Sequence, residues 1–328
     1  MIREQLEEGV VERAPAEVIG TEFFLPHCAV VKRNAETTKL RVVYDASARA
    51  NEKAPSLNNC LHAGPPLQNK LWSVVVRNRF HPVVVAGDVR RAFLQVRIRE
   101  TERDALRFHW IVDKTAKQVE TLRFSRVVFG LAPSPSLLNG VIQQHLENLM
   151  SRFPDAVKEI LKSLYVDDLL SGGPTIEKAK QLKQEATEIF ADAKFELHKW
   201  HSNRRELETA CEDYEPSFAK EQLKNTPAKG ECKLLGVSWD KVEETLHVCF
   251  PATPAKQMKR GILTNLAKVY DPLGIVSPAM LEGKVLYRES CIEKNTWDAP
   301  LSEETMKKWK KWERSLLEAV SVRRSIPL

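Results

Sequence analysis

The stretch Leu164-Tyr165-Val166-Asp167-Asp168-Leu169-Leu170 places two adjacent carboxylates between short apolar runs. This pattern predicts a tight β-hairpin with the acids at its tip. Neighbouring carboxylates repel each other, so a bound cation stabilises the pair. Because aspartate is also a common turn former, the stretch by itself fits either a metal site or an ordinary solvated turn.

A third acid, Asp88, ends the apolar run Pro82-Val83-Val84-Val85-Ala86-Gly87, which predicts a buried strand. A carboxylate in such a place is costly unless it is paired or binds a metal. Three carboxylates at two strand ends of one sheet suit a pair of divalent ions, the device for in-line nucleotidyl or phosphoryl transfer. Because hard oxygen ligands favour Mg²⁺ or Mn²⁺, the sequence predicts a two-metal site at Asp88, Asp167 and Asp168.

The composition narrows the class of protein without deciding it. The 328 residues are 43% apolar and 29% charged, which is typical of a globular chain of roughly two or three domains. The net charge of +6 fits a phosphate-backbone partner but does not require one. The sequence has no P-loop, protein-kinase signature or Gly-x-Ser-x-Gly elbow, which argues against those enzyme classes. The six cysteines lack zinc spacing and predict reduced structural thiols.

Apolar spacing predicts the remaining elements. Residues 51–68, rich in Asn, Pro and Gly, predict a long ordered loop. The helix predicted at 303–320 carries an apolar stripe, which predicts a core-facing side rather than a nucleic-acid contact. That stripe consists of Met306, Trp309, Leu316, Leu317 and Val320. The predicted strands are 40–45, 82–88, 122–129, 234–239 and 245–250, and the predicted helices are 134–150, 176–191, 251–268, 278–293 and 303–320.

Four motifs occur in the order and at the intervals found in reverse transcriptases, and the chain resembles that family. Tyr165-Val166-Asp167-Asp168 resembles the Y-x-D-D box, and DVRRAF at 88–93 resembles the first acidic motif. FGLAPSP at 129–135 resembles the nucleotide-site motif, and LLGVSW at 234–239 resembles the primer-grip hairpin. Each motif alone is a hypothesis, and their shared order supports the resemblance.

Flanking stretches resemble the BEL/Pao group of LTR retrotransposons, and this resemblance covers nearly the whole chain. It implies a fragment of the pol polyprotein. One departure is Arg90-Arg91, where the family often has an acidic-basic pair; it adds positive charge. The stretches are LPHCAVV at 25–31, LRVVYDAS at 40–47, YVDDLLSG at 165–172, HKW at 198–200 and YDPLG at 270–274.

The resemblance implies a right-hand polymerase fold of the α+β class, with a palm built from an antiparallel sheet backed by helices. It assigns the fingers to 1–80 and 98–133, and the palm to 81–97 and 134–247. A helical thumb or connection takes 248–328. RNase H, protease and integrase regions are expected to be absent.

The resemblance also assigns the catalytic residues. Asp88, Asp167 and Asp168 are expected to hold two Mg²⁺ or Mn²⁺ ions, with the backbone carbonyl of Val89 completing one metal shell. Lys199 matches, weakly, a basic residue that protonates pyrophosphate. A surface lysine is the alternative for Lys199.

Primer contacts are implied at two hairpins. Tyr165 and Val166 are expected to line the primer end, although simple packing is an equal alternative for Tyr165. Leu235 and Gly236 belong to the stretch that resembles the primer grip. Primer and template contacts are expected to be mainly electrostatic and shape-based.

Nucleotide contacts are implied around the first acidic motif. Phe93 takes the position of the family's sugar gate, where an aromatic face collides with a 2′-hydroxyl and favours deoxynucleotides; an ordinary core phenylalanine is the alternative. Ala92 lies beside it. Phe129 stands where many retroviral enzymes have glutamine, which removes one amide contact. Gly130 permits close approach of backbone to nucleotide.

Basic residues of the fingers are implied to bind the incoming nucleotide as well. Arg41 matches the arginine that stacks on the base and contacts its phosphate, tasks that suit a planar guanidinium. Lys32 or Arg33 matches the residue that reaches the γ-phosphate, and the loose register leaves both open. A solvated surface charge is the alternative for each.

The expected activity is RNA-directed DNA polymerisation, in which a primer 3′-hydroxyl attacks the α-phosphate of a dNTP. The expected partners are an RNA or DNA template with primer and dNTPs, without a membrane. The N-terminus lacks an apolar signal-peptide region, which predicts an intracellular, cytoplasmic chain, particle-associated in an intact element. The alternatives are a catalytically silent, transposon-derived nucleic-acid-binding protein and another metal-dependent phosphoryl-transfer enzyme on a similar palm.

Overall fold

The computed structural model describes residues 2–31, 40–113, 118–208, 231–293 and 295–326. The chain divides into two compact units, each assembled from separate segments of the sequence. The first unit comprises Met1–Gln68, Val89–Leu161 and Thr187–Leu197. The second unit comprises Asn69–Asp88, Lys162–Ala186 and His198–Leu328.

Both units contain helices and strands. Within the described ranges the helices are α1 Ile2–Glu7, α2 Leu57–Cys60, α3 Leu71–Asn78, α4 Ala92–Gln95, α5 Ser134–Asn148, α6 Pro154–Ser163, α7 Ile176–Asp192, α8 Lys259–Lys268, α9 Ser277–Ile292 and α10 Glu303–Ser315. The strands there are β1 Val11–Arg13, β2 His27–Val31, β3 Leu40–Tyr44, β4 Val83–Val89, β5 Arg107–Asp113, β6 Gln118–Phe124, β7 Leu164–Tyr165, β8 Asp168–Gly173, β9 Leu197–His201, β10 Glu231–Leu234, β11 Val237–Asp240, β12 Thr245–Cys249 and β13 Ala319–Arg323. This mixture agrees with the predicted α+β class.

The first unit is built on a sheet of order β1–β6–β5 and on the hairpin β2–β3. Phe108 of β5 lies opposite Leu122 of β6, and both side chains are buried. Tyr44 of β3 packs edge-on against Phe108 and Phe124, with ring centroids 5.0 and 4.8 Å apart. Edge-to-face rings at this distance stabilise a core beyond the area that they bury.

A buried charge network also stabilises the first unit. The carboxylate of Asp104 is fully buried and accepts hydrogen bonds from Arg107 and Arg123, each at 2.9 Å, and from the amide of Ile19 at 2.7 Å. Burial alone would raise the pKa of Asp104, but these hydrogen bonds outweigh it and hold the pKa below its ordinary value of 3.8. A buried carboxylate with several donors is stable only while all of them remain.

The second unit contains an acid-bearing sheet of strand order β7–β8–β4–β9. Strands β4 and β8 run antiparallel through six consecutive partners, ending with Asp88 opposite Asp168. Val84 of β4 and Leu170 of β8 belong to one buried core with Val74 of α3. The helix therefore covers one face of the sheet and fixes the register of the two strands that carry the acids.

A second sheet, of order β10–β11–β12–β13, and the helices α8, α9 and α10 complete the second unit. Ile262, Met280, Trp309 and Trp312 form the core of the helical part. The indole nitrogen of Trp312 donates to the carbonyl of Ala279 at 3.0 Å. The apolar faces of the three helices thus pack on one another.

Arg324, directly after β13, is fully buried. Its guanidinium donates to Glu244 at 2.6 Å and to the backbone carbonyls of Asn78 and His81 at 3.1 and 3.0 Å. A buried cation is tolerated when its donors are satisfied in this way. The end of the described chain is therefore joined to the segment that follows α3.

Several predicted elements are confirmed. The helices predicted at 134–150 and 176–191 correspond to α5 and α7, and the strands predicted at 40–45 and 82–88 correspond to β3 and β4. The hairpin predicted from 164–170 is formed by β7 and β8.

The helix predicted at 303–320 was wrong in its second half. It ends at Ser315 because the following residues pair with β12 as strand β13, so tertiary pairing overrides the local helical spacing. Met306 and Trp309 are buried as predicted, but Leu317 is 67% exposed and does not belong to the core.

Two other predicted elements differ in extent. The helix predicted at 251–268 begins only at α8, because Pro251 and Pro254 lack the amide donors that a helix interior needs. The strand predicted at 122–129 ends at Phe124. Beyond that point the backbone bonds to another segment of the first unit through an isolated bridge.

We expect Asp104→Ala to destabilise the protein by about 3–5 kcal/mol, because it removes the fully buried carboxylate that two buried guanidinium groups share. Arg107 and Arg123 then keep the partly exposed carboxylates of Glu22 and Glu12. Urea unfolding at neutral pH measures this loss. Glu120→Ala is the matched control, because the pair of Glu120 with Arg13 is solvent-exposed and such pairs contribute about 0–1 kcal/mol. Equal losses in both variants would contradict the assigned role of the network.

The same network predicts a pH dependence. Because the pKa of Asp104 is lowered on folding, its stabilising effect is complete above the ordinary value of 3.8 and is lost as the pH falls through the lower folded pKa. The unfolding free energy of the parent should therefore drop in this acid window by more than that of Asp104→Ala. Parallel pH profiles of the two proteins would rule out this linkage.

Candidate active site

Asp88 and Asp168 lie directly opposite each other in the antiparallel strands β4 and β8. Opposite residues of such a pair project to the same face, with Cβ atoms about 4.5–5.5 Å apart. The side chain of Asp88 is 16% exposed, and Asp168 is half-buried. The register thus brings together two of the three predicted acids in a position where their charges repel and a cation relieves the repulsion.

Asp167 lies in the two-residue turn between β7 and β8, next to Val166. Val166 has a φ of 56°, which β-branched residues rarely adopt. Positive φ at the first position of a two-residue turn matches the twist of a hairpin, and it costs about 1–3 kcal/mol for a residue other than glycine. The hairpin therefore imposes this backbone and with it the position of Asp167.

His198 of β9 contacts the first acid. Its Nε2 atom lies 3.3 Å from Oδ2 of Asp88. This contact restricts the rotation of the carboxylate. The sequence gives no signal for the role of His198, because only the strand order, which places β9 beside β4, reveals the contact.

A small cleft of about 20 Å³ opens beside the acids. A space of this size admits about one water molecule. Lys199, Lys233 and Leu235 line it together with Asp88 and Asp168. The cleft thus combines two carboxylates with two basic side chains, one of which is Lys199. Its role as a proton donor stays a prediction.

The strand predicted at 234–239 is interrupted by a turn that connects β10 and β11. Leu235 and Gly236 have φ values of 48° and 90°, and two positive values favour a type I′ hairpin turn. The hydroxyl of Tyr270 donates to the carbonyl of Leu235 at 2.8 Å. Burial raises the pKa of Tyr270, and the nearby Tyr165 adds to the rise, so the hydroxyl stays a neutral donor that holds the turn.

The predicted sugar-gate residue lies in the first unit. Phe93 is 5% exposed, and Phe129 is 60% exposed. Their rings meet edge-on with centroids 4.5 Å apart at 66°. Val89 and Ala92, which precede Phe93 in the sequence, are also buried. The structure therefore brings together two of the predicted nucleotide-binding residues, with Phe129 covering Phe93.

Asn58 holds the loop that carries the nucleotide-site motif. Its side-chain amide donates to the carbonyl of Gly130 at 2.8 Å and accepts from the amide of Ala132 at 2.8 Å. Asn58 belongs to α2, a one-turn helix with a capping box at Ser56, inside the stretch predicted as a loop at 51–68. The Asn-rich composition of that stretch is its only signal in the sequence.

Of the predicted basic residues of the fingers, Arg41 lies within the described ranges. The backbone of Arg41 lies in β3 opposite Val30. Lys32 and Arg33 lie outside the described residues. The acids and the turn at Leu235 belong to the second unit, and the two phenylalanines belong to the first unit.

The donor set suits a hard divalent cation. Mg²⁺ is usually held by one or two carboxylates together with water and substrate phosphates, and the opposed pair Asp88 and Asp168 fits that requirement. Within the part of the chain that the structure describes, no group of three or more His, Cys, Asp or Glu side chains forms a potential metal site. Asp167 as a third ligand therefore stays a prediction.

More than half of the chain, residues 33–238, matches the family model described as reverse transcriptase (RNA-dependent DNA polymerase). The chain belongs to the reverse transcriptase family. Residues 258–327 match the model described as Pao retrotransposon-like RNaseH-like domain. The two matches identify this reverse transcriptase as the RNA-directed DNA polymerase of a Pao/BEL-type retrotransposon. No curated protein matches the chain.

The second match falls on α8, α9, α10 and β13 of this reverse transcriptase. Its description names an RNaseH-like domain, whereas the resemblance implies a helical thumb or connection there and no RNase H region. The boundaries of fingers, palm and thumb remain predictions. Among the helices of the described ranges, none combines the length and the apolar character needed to cross a membrane.

We expect Gly236→Ala to destabilise the enzyme by at least about 1 kcal/mol more than Gly9→Ala. Both glycines have positive φ, 90° and 65°, and an alanine is strained at each. A Cβ atom at Gly236 would lie 2.9 Å from the ring of Tyr270, whereas one at Gly9 meets nothing within 4 Å. Urea unfolding of the two variants separates the contact from the backbone strain, and equal losses would show that Tyr270 does not restrain the turn.

Proposed function

We propose that this reverse transcriptase extends a primer by a two-metal reaction centred on Asp88, Asp167 and Asp168. The observation that carries the proposal is the strand register that sets Asp88 opposite Asp168. Two Mg²⁺ or Mn²⁺ ions bound there would lower the pKa of the attacking hydroxyl and neutralise charge on the phosphates. The primer 3′-oxygen bonds to the α-phosphorus of the dNTP as the bond to pyrophosphate breaks.

The protein's own residues orient the acids and move the proton. His198 contacts Asp88 and restrains its carboxylate for metal binding. Lys199 lines the same cleft as the acids, which supports its proposed role as the proton donor to the departing pyrophosphate. The backbone carbonyl of Val89 is the proposed additional metal ligand.

The primer end is proposed to lie between two fixed turns. Tyr165 and Val166 flank the acids on one side, and Leu235 and Gly236 form the grip on the other. The strained φ of Val166 and the hydrogen bond from Tyr270 support this assignment. Turns held in this way do not adjust to the primer, so they position its 3′-hydroxyl.

The sugar of the incoming nucleotide is proposed to meet Phe93. Its ring excludes a 2′-hydroxyl by collision, which is discrimination by repulsion. The edge-on contact with Phe129 at 4.5 Å supports the proposal, because it leaves Phe93 little room to move aside. Ala92 is the proposed small neighbour that leaves space for the sugar.

The base and the phosphates are proposed to contact the fingers. Gly130, held by Asn58, permits close approach of the backbone. The guanidinium of Arg41 is proposed to stack on the base. Lys32 or Arg33 is proposed to bind the γ-phosphate.

We infer the right-hand layout from the same resemblance. The fingers are proposed at 1–80 and 98–133, the palm at 81–97 and 134–247, and the thumb or connection at 248–328. The proposed partners are an RNA or DNA template with its primer and dNTPs, in the cytoplasm.

Primer extension tests the proposed site. The chain should extend a primer on an RNA template with Mg²⁺ and dNTPs, and Asp167→Asn/Asp168→Asn should lower the rate by more than about 100-fold, because a metal contributes several kcal/mol to the transition state. Glu177→Gln/Glu206→Gln, which removes the same charge from exposed positions, should retain the rate. Extension that survives in the aspartate variant would refute the site. Duplex binding without extension by the parent would favour the silent nucleic-acid-binding protein.

Sugar selectivity tests the proposed gate. Phe93→Ala should raise ribonucleotide incorporation relative to deoxynucleotide incorporation by at least about 10-fold, because it opens space for the 2′-hydroxyl. Phe129→Ala should give a smaller increase, because it only frees Phe93 to move. Phe24→Ala, a control on a ring stacked against His109, should leave selectivity unchanged. Unchanged selectivity in Phe93→Ala would assign this side chain to the core.

A further inference from the structure

Helix α10 has two chemically different faces. One face buries Met306, Trp309 and Trp312 in the core of the second unit. The other carries Lys307, Lys310, Lys311 and Arg314, all exposed. The last three lie three, four and seven residues after Lys307. This spacing places all four on one side of the helix. We call these four residues the basic face.

The basic face lines a groove of about 870 Å³. The facing wall includes Gln257 and Leu301, which are joined by a backbone hydrogen bond of 3.2 Å. Glu303 is the acidic residue among those that line the groove. Four cations therefore share a concave surface with one carboxylate, and such a surface favours an anion.

Two neighbouring cations in the second unit are paired, in contrast to the basic face. Lys308 on the same helix contacts Glu304 at 2.9 Å, and Arg260 contacts Asp298 at 2.7 Å. Among the described residues, no carboxylate is within ion-pair distance of any of the four cations of the basic face. Their charge is therefore available to an external partner.

The spacing of the basic face fits a regular polyanion. A helix rises 1.5 Å per residue, so the seven residues from Lys307 to Arg314 span about 10 Å. A nucleic-acid strand carries one phosphate per roughly 3.4 Å of axis. The face therefore spans about three phosphates of one strand, and flexible ammonium groups follow them without reading the bases.

A membrane or an acidic peptide fits this face less well. Helices that bind a membrane surface present Trp, Phe or Leu beside their lysines, whereas α10 buries both of its tryptophans, Trp309 and Trp312. Recognition of an acidic or phosphorylated peptide relies on clustered arginines, and the face has one, Arg314. We propose that the basic face binds the phosphate backbone of the template–primer duplex, independently of its sequence. This inference rests on the proposed polymerase function.

The salt dependence of binding tests the proposal. The dissociation constant of the full chain for a 3′-blocked RNA–DNA duplex is measured across a series of salt concentrations. Lys307→Gln/Lys310→Gln/Lys311→Gln should lower the slope of log affinity against log salt by about 2–3, because each phosphate contact contributes roughly 0.7–0.9. Affinity near physiological salt should fall by at least about 10-fold.

A second triple variant, Lys178→Gln/Lys180→Gln/Lys308→Gln, removes the same charge from exposed positions outside the face. It should keep the parent's slope. Equal slopes for the parent and both variants would overturn the proposal, because the face is then only solvated. Tighter binding of poly-glutamate or phosphatidylserine vesicles than of the duplex, lost in the first variant, would also overturn it.

Primer extension separates this inference from the proposed function. The rate of extension is measured against duplex concentration near physiological salt. The variant of the basic face should need at least about 10-fold more duplex than the parent for half-maximal extension, because the face holds the duplex. An unchanged half-maximal concentration would contradict this role. A reduced slope in a chain that never extends a primer supports the basic face and refutes only the polymerase mechanism.

Discussion

Two carboxylates held opposite each other on neighbouring strands are the constraint on which the second unit depends. Charges about 5 Å apart repel by roughly 3 kcal/mol at an effective dielectric constant of about 20. The six-partner register of β4 and β8 holds Asp88 and Asp168 in this position. A slip by one residue would turn every side chain of a strand to the other face, so burial of Val84 and Leu170 against α3 opposes any relaxation of the acids.

The support for that register extends to the far end of the described chain. Arg324 donates to the carbonyl of Asn78 at the end of α3 and to that of His81 between α3 and β4. Its partner Glu244 also accepts from the indole of Trp239 at 3.1 Å. Arg324 belongs to the part matched by the Pao retrotransposon model, and Asn78 belongs to the part matched by the reverse transcriptase model. The border between the two matches therefore divides the sequence, whereas the packing joins both parts in one unit.

The sequence predicts what local chemistry determines. Alternation, acids at strand ends and helical spacing suffice for the hairpin at 164–170, for β4 and for α5. They fail where contacts with distant parts of the chain determine the secondary structure. The residues of β13, for example, have helical spacing but pair with β12. His198 and Asn58 have no motif of their own, because their roles arise only from the strand order and from a long-range hydrogen bond.

The distribution of charge explains why composition says little about binding. The chain has 50 basic and 44 acidic residues, so its net charge of +6 is small. Many cations are neutralised where they lie, as Arg123 is by Asp104 and Lys308 by Glu304. Other cations of the second unit, such as those of the basic face, have no carboxylate within ion-pair distance among the described residues. The opposed carboxylates of the acid-bearing sheet carry the opposite charge on different elements, which suits the proposed binding of metal ions at one place and of a phosphate backbone at another.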